Sequence, residues 1–140
     1  MIETGDILFS WSADLDAYIW SGEQGLLNQH LFKVLPKDGI GPLYVFFSLK
    51  HQMDSFRSRS MGTTMRHIKR SALDEVFVNI PDRHVLDYFE KLASPLISLL
   101  VNLSQKNRIL QRTRDLLLTK LLSGEISVEQ LDTEAASQVS

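Results

Sequence analysis

SPLISLLVNLSQKNRILQRTRDLLLTKLLSGEI, residues 94–126, decides how the rest of the chain is read. Leu96, Leu103, Leu110 and Leu117 recur at seven-residue intervals, so they share one side of an α-helix and predict a helix that lies against another helix. Ser94 offers an N-cap oxygen, Pro95 fits the first helical position where a missing N–H costs nothing, and Gly124 supplies a stop. From Pro95 to about Leu122 such a helix is ~42 Å long at 1.5 Å per residue, longer than a compact domain of this size needs, and helices of that length span or join something. The neighbouring column, Leu100, Asn107, Arg114 and Leu121, is polar in its middle. A polar layer in a helix–helix seam fixes register at some cost in stability. The predicted interface is Leu96, Leu103, Asn107, Leu110, Arg114, Leu117 and Leu121, facing another copy or another subunit.

Composition around this helix is that of a globular protein: 140 residues, 44% hydrophobic and 23% charged. No apolar run approaches the roughly 18 residues a membrane span requires, and Met1–Asp6 lacks the basic and apolar regions of a signal peptide. A cytoplasmic protein with no membrane partner is expected. The absence of cysteine excludes disulfides, thiolate zinc sites and a cysteine nucleophile. His30, His51, His67 and His84 are scattered, with no HExxH motif or i, i+4 pair, so no metal site is expected.

No phosphate-binding loop, dinucleotide fingerprint, nucleophile elbow or paired-carboxylate constellation is present. Asn79-Ile80-Pro81-Asp82 departs at its second and fourth positions from the Asn-Pro-Pro-Tyr with which adenine N6-methyltransferases hold a flipped base, and it reads as a strand end running into a helix cap. Neither catalysis nor a cofactor is expected.

Recognition chemistry is what remains. The net charge of −2 hides a segment, Lys50–Arg70, that carries +5 against −7 elsewhere. Such asymmetry points to an anionic partner, nucleic acid first, or else to a solvated helix face. Arg57, Arg59, Thr63, Thr64, Arg66, Lys69 and Arg70 form a cluster of cationic and hydroxyl donors suited to phosphate oxygens, and arginine also addresses guanine in the major groove. Trp11 and Trp20 read as core or hairpin aromatics rather than base-stacking platforms.

The remaining pattern predicts a small α/β (α+β) globule. Ile7-Leu8-Phe9 and Ala17–Trp20 read as a hairpin or meander, Leu27–Leu35 as a buried strand, and Pro42 to about Arg59 as one amphipathic helix. Val76, Val78 and Ile80 alternate as a strand ended by Pro81, and Asp82 caps a short helix interrupted at Ser94-Pro95. The expected organisation is residues 1–81, a helical region over 82–126 whose long helix covers about 95–122, and a frayed tail over 127–140.

Three stretches resemble the DNA-specificity subunits of type I restriction–modification systems. The first is Gly5–Ser10 leading on to Leu27–Val34; the second is Thr63–Ile68 before Asn79-Ile80-Pro81; the third and most specific is Leu110–Leu118 continuing to Leu121–Ile126. The resemblance implies that residues 1–81 are the distal part of a target recognition domain reading one half of a bipartite site in double-stranded DNA. It implies that the region from about Asp82 to Leu122 is one spacer helix, of the kind that docks methyltransferase subunits and through them the restriction subunit. Such subunits hold two recognition domains apart with an antiparallel helix pair, whereas this sequence carries one helix and part of one recognition domain. Arg66 is a further departure, since related sequences tend to have glycine there.

The expectation is therefore a non-catalytic half-type or truncated specificity subunit that pairs antiparallel with a second copy. Two readings stand beside it: an assembly module that binds methyltransferase or another specificity chain without reading DNA, and a nonfunctional gene remnant.

Overall fold

β1 (Ile7–Ser10) is buried along its whole length, because it is the middle strand of a three-stranded antiparallel sheet ordered β2-β1-β3. A computed structural model of the chain describes residues 1–37, 39–61 and 67–127. β2 (Asp16–Ile19) pairs with β1 in the register Ile7↔Ile19 to Ser10↔Asp16, as the hairpin pattern predicts. The connection turns at Ala13, whose φ of 62° is a left-handed conformation that a side chain disfavours. β3 (Leu31–Val34) pairs on the other edge, from Ile7↔Val34 to Ser10↔Leu31.

β3 corrects the expected buried strand over Leu27–Leu35. It holds four residues and has a single neighbour among the described residues, and the apolar residues around it are open: Phe32 is 40% exposed and Leu35 75%. Only Val34 of this strand packs against the core.

One helix was expected from Pro42 to about Arg59; the structure divides it at Gln52 into α1 (Pro42–His51) and α2 (Met53–Ser58). Both lie over the sheet. Ile7, Phe9 and Ala17 from the strands meet Phe46, Met53 and Phe56 from the helices, with the Phe9 and Phe56 rings edge to face at 5.3 Å. A fully buried side chain of this size contributes roughly 1.5–3 kcal/mol, so the sheet–helix seam outweighs any single hairpin contact.

α3 (Arg70–Leu73) follows, and the strand expected at Val76, Val78 and Ile80 does not form. Alternation supplies a strand face but not a partner edge, and residues 76–80 join no ladder among the described residues.

α4 runs continuously over Arg83–Leu122, which corrects the expected start at Pro95. Asp82, not Ser94, is the cap: its Oδ1 accepts from the Val85 N–H at 3.0 Å. Arg83 and Asp87 add an i, i+4 pair at 3.2 Å. Pro95 sits inside the helix and removes the one hydrogen bond its N–H would give to the Lys91 carbonyl. The helix tolerates this because the preceding turns are anchored. Leu86 is buried, and Phe89 meets the rings of Tyr44 and Phe47 edge to face at 6.2 and 5.7 Å.

The chain divides into two units, residues 1–102 and 103–140. The first contains the sheet, α1 to α3 and the beginning of α4; the second contains the rest of α4, where Ser123 and Gly124 end the helix with Gly124 at φ 74°. The tail expected over 127–140 lies, from residue 128 on, outside the described residues. Among the described residues no helix is long and apolar enough to cross a membrane.

Candidate nucleic-acid interface

The candidate surface is built on the far end of β1. Beyond Ser10 the chain continues through Trp11 and Ser12, and Ser12 bridges to His67 while the Ile68 N–H donates to the Trp11 carbonyl at 2.9 Å. Ile68 is buried in the core, so this return strand segment is held from both its backbone and its side chain. His67 in turn exchanges two backbone hydrogen bonds with Met61, at 2.9 and 3.0 Å. Thr63, Thr64 and Arg66, three expected contact residues, lie outside the described residues.

The flanking cations have fixed places. Arg57 is in the last turn of α2, where its guanidinium meets Asp54 at 3.3 Å and donates to the Leu15 carbonyl at 3.3 Å. Arg59 is the residue that ends α2; it donates to the Ser55 carbonyl at 2.9 Å and lies 3.5 Å from the Glu75 carboxylate. Lys69 is exposed at the start of α3, and Arg70 is the first residue of that helix. The Arg59–Glu75 contact ties the end of α2 to the stretch after α3.

Pairing reduces the charge that the sequence advertises. Lys50 is committed to Asp16 through two hydrogen bonds of 2.8 Å, and Arg57 and Arg59 each have an acidic neighbour. Exposed pairs of this kind are worth about 0–1 kcal/mol, so exchanging Asp54 or Glu75 for a phosphate oxygen is inexpensive. Sequence spacing could not reveal these partners, since Asp16 and Glu75 lie outside the basic segment.

The hairpin side carries shifted groups. Burial pushes the Asp16 carboxyl up, but hydrogen bonds from Lys50 and the Ala17 N–H outweigh it and hold the group below the usual carboxylate range. The hydrogen bond from Lys33, at 2.6 Å, likewise lowers Asp6. The Tyr18 phenol is pushed up to about 12 by burial and by its hydrogen bond to Asp14.

Trp11 is partly buried against the core, stacked on Phe32 at 6.0 Å with His30 at 5.7 Å, which places it as a structural aromatic. Its Nε1 is buried without a hydrogen-bond partner among the described residues. Trp20 donates from Nε1 to the Glu23 carbonyl at 2.8 Å. Its ring lies so close over Gly22 that a Cβ there would collide with it. Among the described residues no cluster of histidine and carboxylate side chains is arranged to hold a metal ion.

On α4 the predicted interface leucines are exposed: Leu96 is open by 67%, Leu110 by 67%, and Leu103, Leu117 and Leu121 are exposed as well. Asn107 and Arg114 are also at the surface, Arg114 in contact with Asp115 at 2.7 Å. The residues α4 does bury are Leu86, Ala93 and Val101, which form no part of the predicted seam.

The family described as the type I restriction modification DNA specificity domain matches residues 1–109. The chain belongs to this family. Among its relatives, the type I restriction enzyme MjaIX specificity subunit of Methanocaldococcus jannaschii is 36% identical over 70 residues, which are 50% of this chain and 16% of that protein. The MjaVIII specificity subunit of the same organism is 23% identical over 124 residues, 88% of this chain and 29% of that protein. The EcoBI specificity subunit of Escherichia coli is 22% identical over 132 residues, 91% and 28% respectively. The chain thus spans less than a third of the length of these specificity subunits. No solved structure matches it.

Proposed function

We propose that this chain is a half-type or truncated specificity subunit that contributes DNA target recognition to a cytoplasmic type I restriction–modification complex and performs no catalysis itself. The observation that carries this reading is the family match across residues 1–109, which takes in the whole sheet-and-helix globule and the Met61–His67 closure. Double-stranded DNA lies against the surface flanked by Arg57, Arg59, Lys69 and Arg70, with Thr63, Thr64 and Arg66 contributed by the segment between Met61 and His67. Phosphate contacts set position there, and arginine supplies the base-edge contacts that a specificity function requires.

α4 acts in this reading as one arm of a spacer. Its leucines at 96, 103, 110 and 117 pair antiparallel with those of a second copy, Leu121 extends the seam, and Asn107 and Arg114 fix its register. The same helix region docks the methyltransferase subunits, and through them the restriction subunit. Exposure of four heptad leucines supports a helical partner, because contiguous exposed apolar stripes mark interaction surfaces.

A second reading, an assembly module that does not read DNA, is favoured by the acidic partners already held by Lys50, Arg57 and Arg59. Co-expression with the modification subunit of the same system separates the two. A complex that protects DNA sites supports recognition. A complex that forms but binds no duplex at any salt concentration supports assembly alone.

A further inference from the structure

The turn that joins β1 to β2, Trp11–Leu15, is anchored on both sides. The Ile68 N–H donates to the Trp11 carbonyl at 2.9 Å, the Ser10 hydroxyl to the Ser12 carbonyl at 3.0 Å, and the Arg57 guanidinium to the Leu15 carbonyl at 3.3 Å. The Leu15 side chain is buried in the core. Between these fixed points Ala13 keeps a φ of 62°, and a residue with a side chain stays in that conformation only where its surroundings over-determine it. Strain of this kind collects where the chain must present a neighbouring group in one geometry.

The group presented here is the Asp14 carboxylate. Asp14 is exposed, and the Tyr18 hydroxyl donates to its Oδ2 at 2.6 Å, which fixes the carboxylate and leaves Oδ1 without a hydrogen bond among the described residues. Asp16, Asp54 and Glu75 each hold a cation, in Lys50, Arg57 and Arg59, whereas Asp14 has no cationic partner among the described residues. Yet the turn adjoins residues expected to meet phosphate: Leu15 touches Arg57, and Ser12 bridges to His67, two residues before Lys69. A carboxylate without a cation at that place repels a polyanion. The repulsion is offset where the carboxylate accepts a hydrogen bond from a base, and the exocyclic amino group of cytosine is what an aspartate reads in the major groove.

We propose that Asp14 is a specificity-determining residue that reads cytosine, with Tyr18 orienting its carboxylate and Arg57 bracing the turn that carries it. Arg57 braces through Nη2, which leaves Nη1, now on Asp54, for a phosphate. The inference rests on the DNA-recognition reading above and deepens it, because a basic cluster alone supplies charge, which attracts every sequence alike. Asp14 works the other way: it lowers affinity for duplexes in general and restores it where a cytosine is in reach. Affinity and preference therefore respond in opposite directions to one substitution, which separates a reader from a bystander.

A pool of duplexes with a randomised centre, selected on the full chain and sequenced, tests it, followed by fluorescence anisotropy on the selected duplex and a scrambled one. The parent chain is expected to enrich cytosine at one position or more. Asp14→Asn is expected to lose that cytosine in favour of adenine, which a carboxamide matches, and to bind the scrambled duplex more tightly. The gap between the two duplexes narrows by about tenfold, the worth of one good base contact. Tyr18→Phe keeps the charge and frees the carboxylate, so it narrows the gap without the gain on the scrambled duplex. If Asp14→Asn strengthens binding to both duplexes alike, or changes neither, the proposal is overturned and the DNA-recognition reading stands. A parent chain that binds duplexes but enriches no cytosine has the same meaning. A parent chain that binds no duplex at any salt concentration removes that reading and the role of Asp14 together.

Discussion

Glu90 on α4 caps the N-terminus of α1: its Oε1 accepts from the Tyr44 N–H at 2.8 Å. α1 begins at Pro42 after Gly41, which has no side chain to cap the helix, so a carboxylate from a distant helix does the work and also sits favourably at the positive end of the helix dipole. Gly41 is required for this approach, since a Cβ there would collide with the Glu90 carboxylate. Glu90→Ala is expected to lower stability by about 1–2 kcal/mol, within the range for loss of a helix-capping side chain. Gly41→Ala is expected to do the same by displacing Glu90, and the double variant to lose little more than either single one. Additive losses in urea unfolding would show that the two residues act separately.

Stability is expected to fall at both ends of the pH range. Asp6 and Asp16 are depressed in the folded state, so they bind protons less readily there than in the unfolded chain. Their contribution is complete above the unfolded value of 3.8 and is lost as pH falls through the folded values. Tyr18 runs the other way: raised from 10.0 to about 12, it stabilises the fold fully below pH 10 and loses that contribution between 10 and 12. Tyr18→Phe should flatten the alkaline limb of a thermal-melt series and leave the acid limb in place. Asp16→Asn should do the reverse. An alkaline limb that is the same in Tyr18→Phe as in the parent chain would remove the phenol as its cause.

Local pattern made the hairpin, α1 and the heptad of α4 legible, because each is written in residues close in sequence: Ile7 to Phe9, Pro42 to Leu49, Leu96 to Leu117. What escaped was set by partners far away. Pro95 looks like a helix start when only its neighbours are considered, yet Asp82 and the packing of Leu86 and Phe89 carry the helix through it. Val76–Ile80 looks like a strand, but a strand needs an edge, and alternation cannot say whether one is available. In the candidate surface, Arg57 and its i, i+3 neighbour Asp54 could be read from sequence, whereas the electrostatic condition of Arg59 depended on the distant Glu75 coming within 3.5 Å.

The leucines of α4 are expected to matter for association and not for folding. Leu110 is 67% exposed, so Leu110→Lys should change the unfolding free energy of the isolated chain by no more than about 0.5 kcal/mol. In the proposed antiparallel pair it places a charge in the seam, and light scattering should then report a monomer at concentrations where the parent chain is a dimer. Asn107→Leu should strengthen association while allowing other registers, seen as species larger than a dimer. A parent chain that is strictly monomeric, and unchanged by Leu110→Lys, removes the second copy from the proposal and leaves the other subunits as the helix's partners.

Asp54 gives the sharpest test of DNA contact, because it holds Arg57 without belonging to the basic cluster. If a phosphate oxygen replaces it on binding, Asp54→Asn frees the guanidinium in advance and removes a nearby negative charge, so affinity for duplex DNA rises, most of all at low salt. Lys69 is exposed, so Lys69→Ala should weaken binding across all sequences and lower the slope of log K against log salt by about 0.9 if it neutralises one phosphate. Arg57→Ala should lower the slope by the same amount and, with Asp54→Asn, leave no further gain. Fluorescence anisotropy with a labelled duplex at several salt concentrations reads the parent chain and these variants. If Asp54→Asn and Lys69→Ala bind as the parent does, the surface around Met61 and His67 is not where DNA lies, and the assembly reading stands.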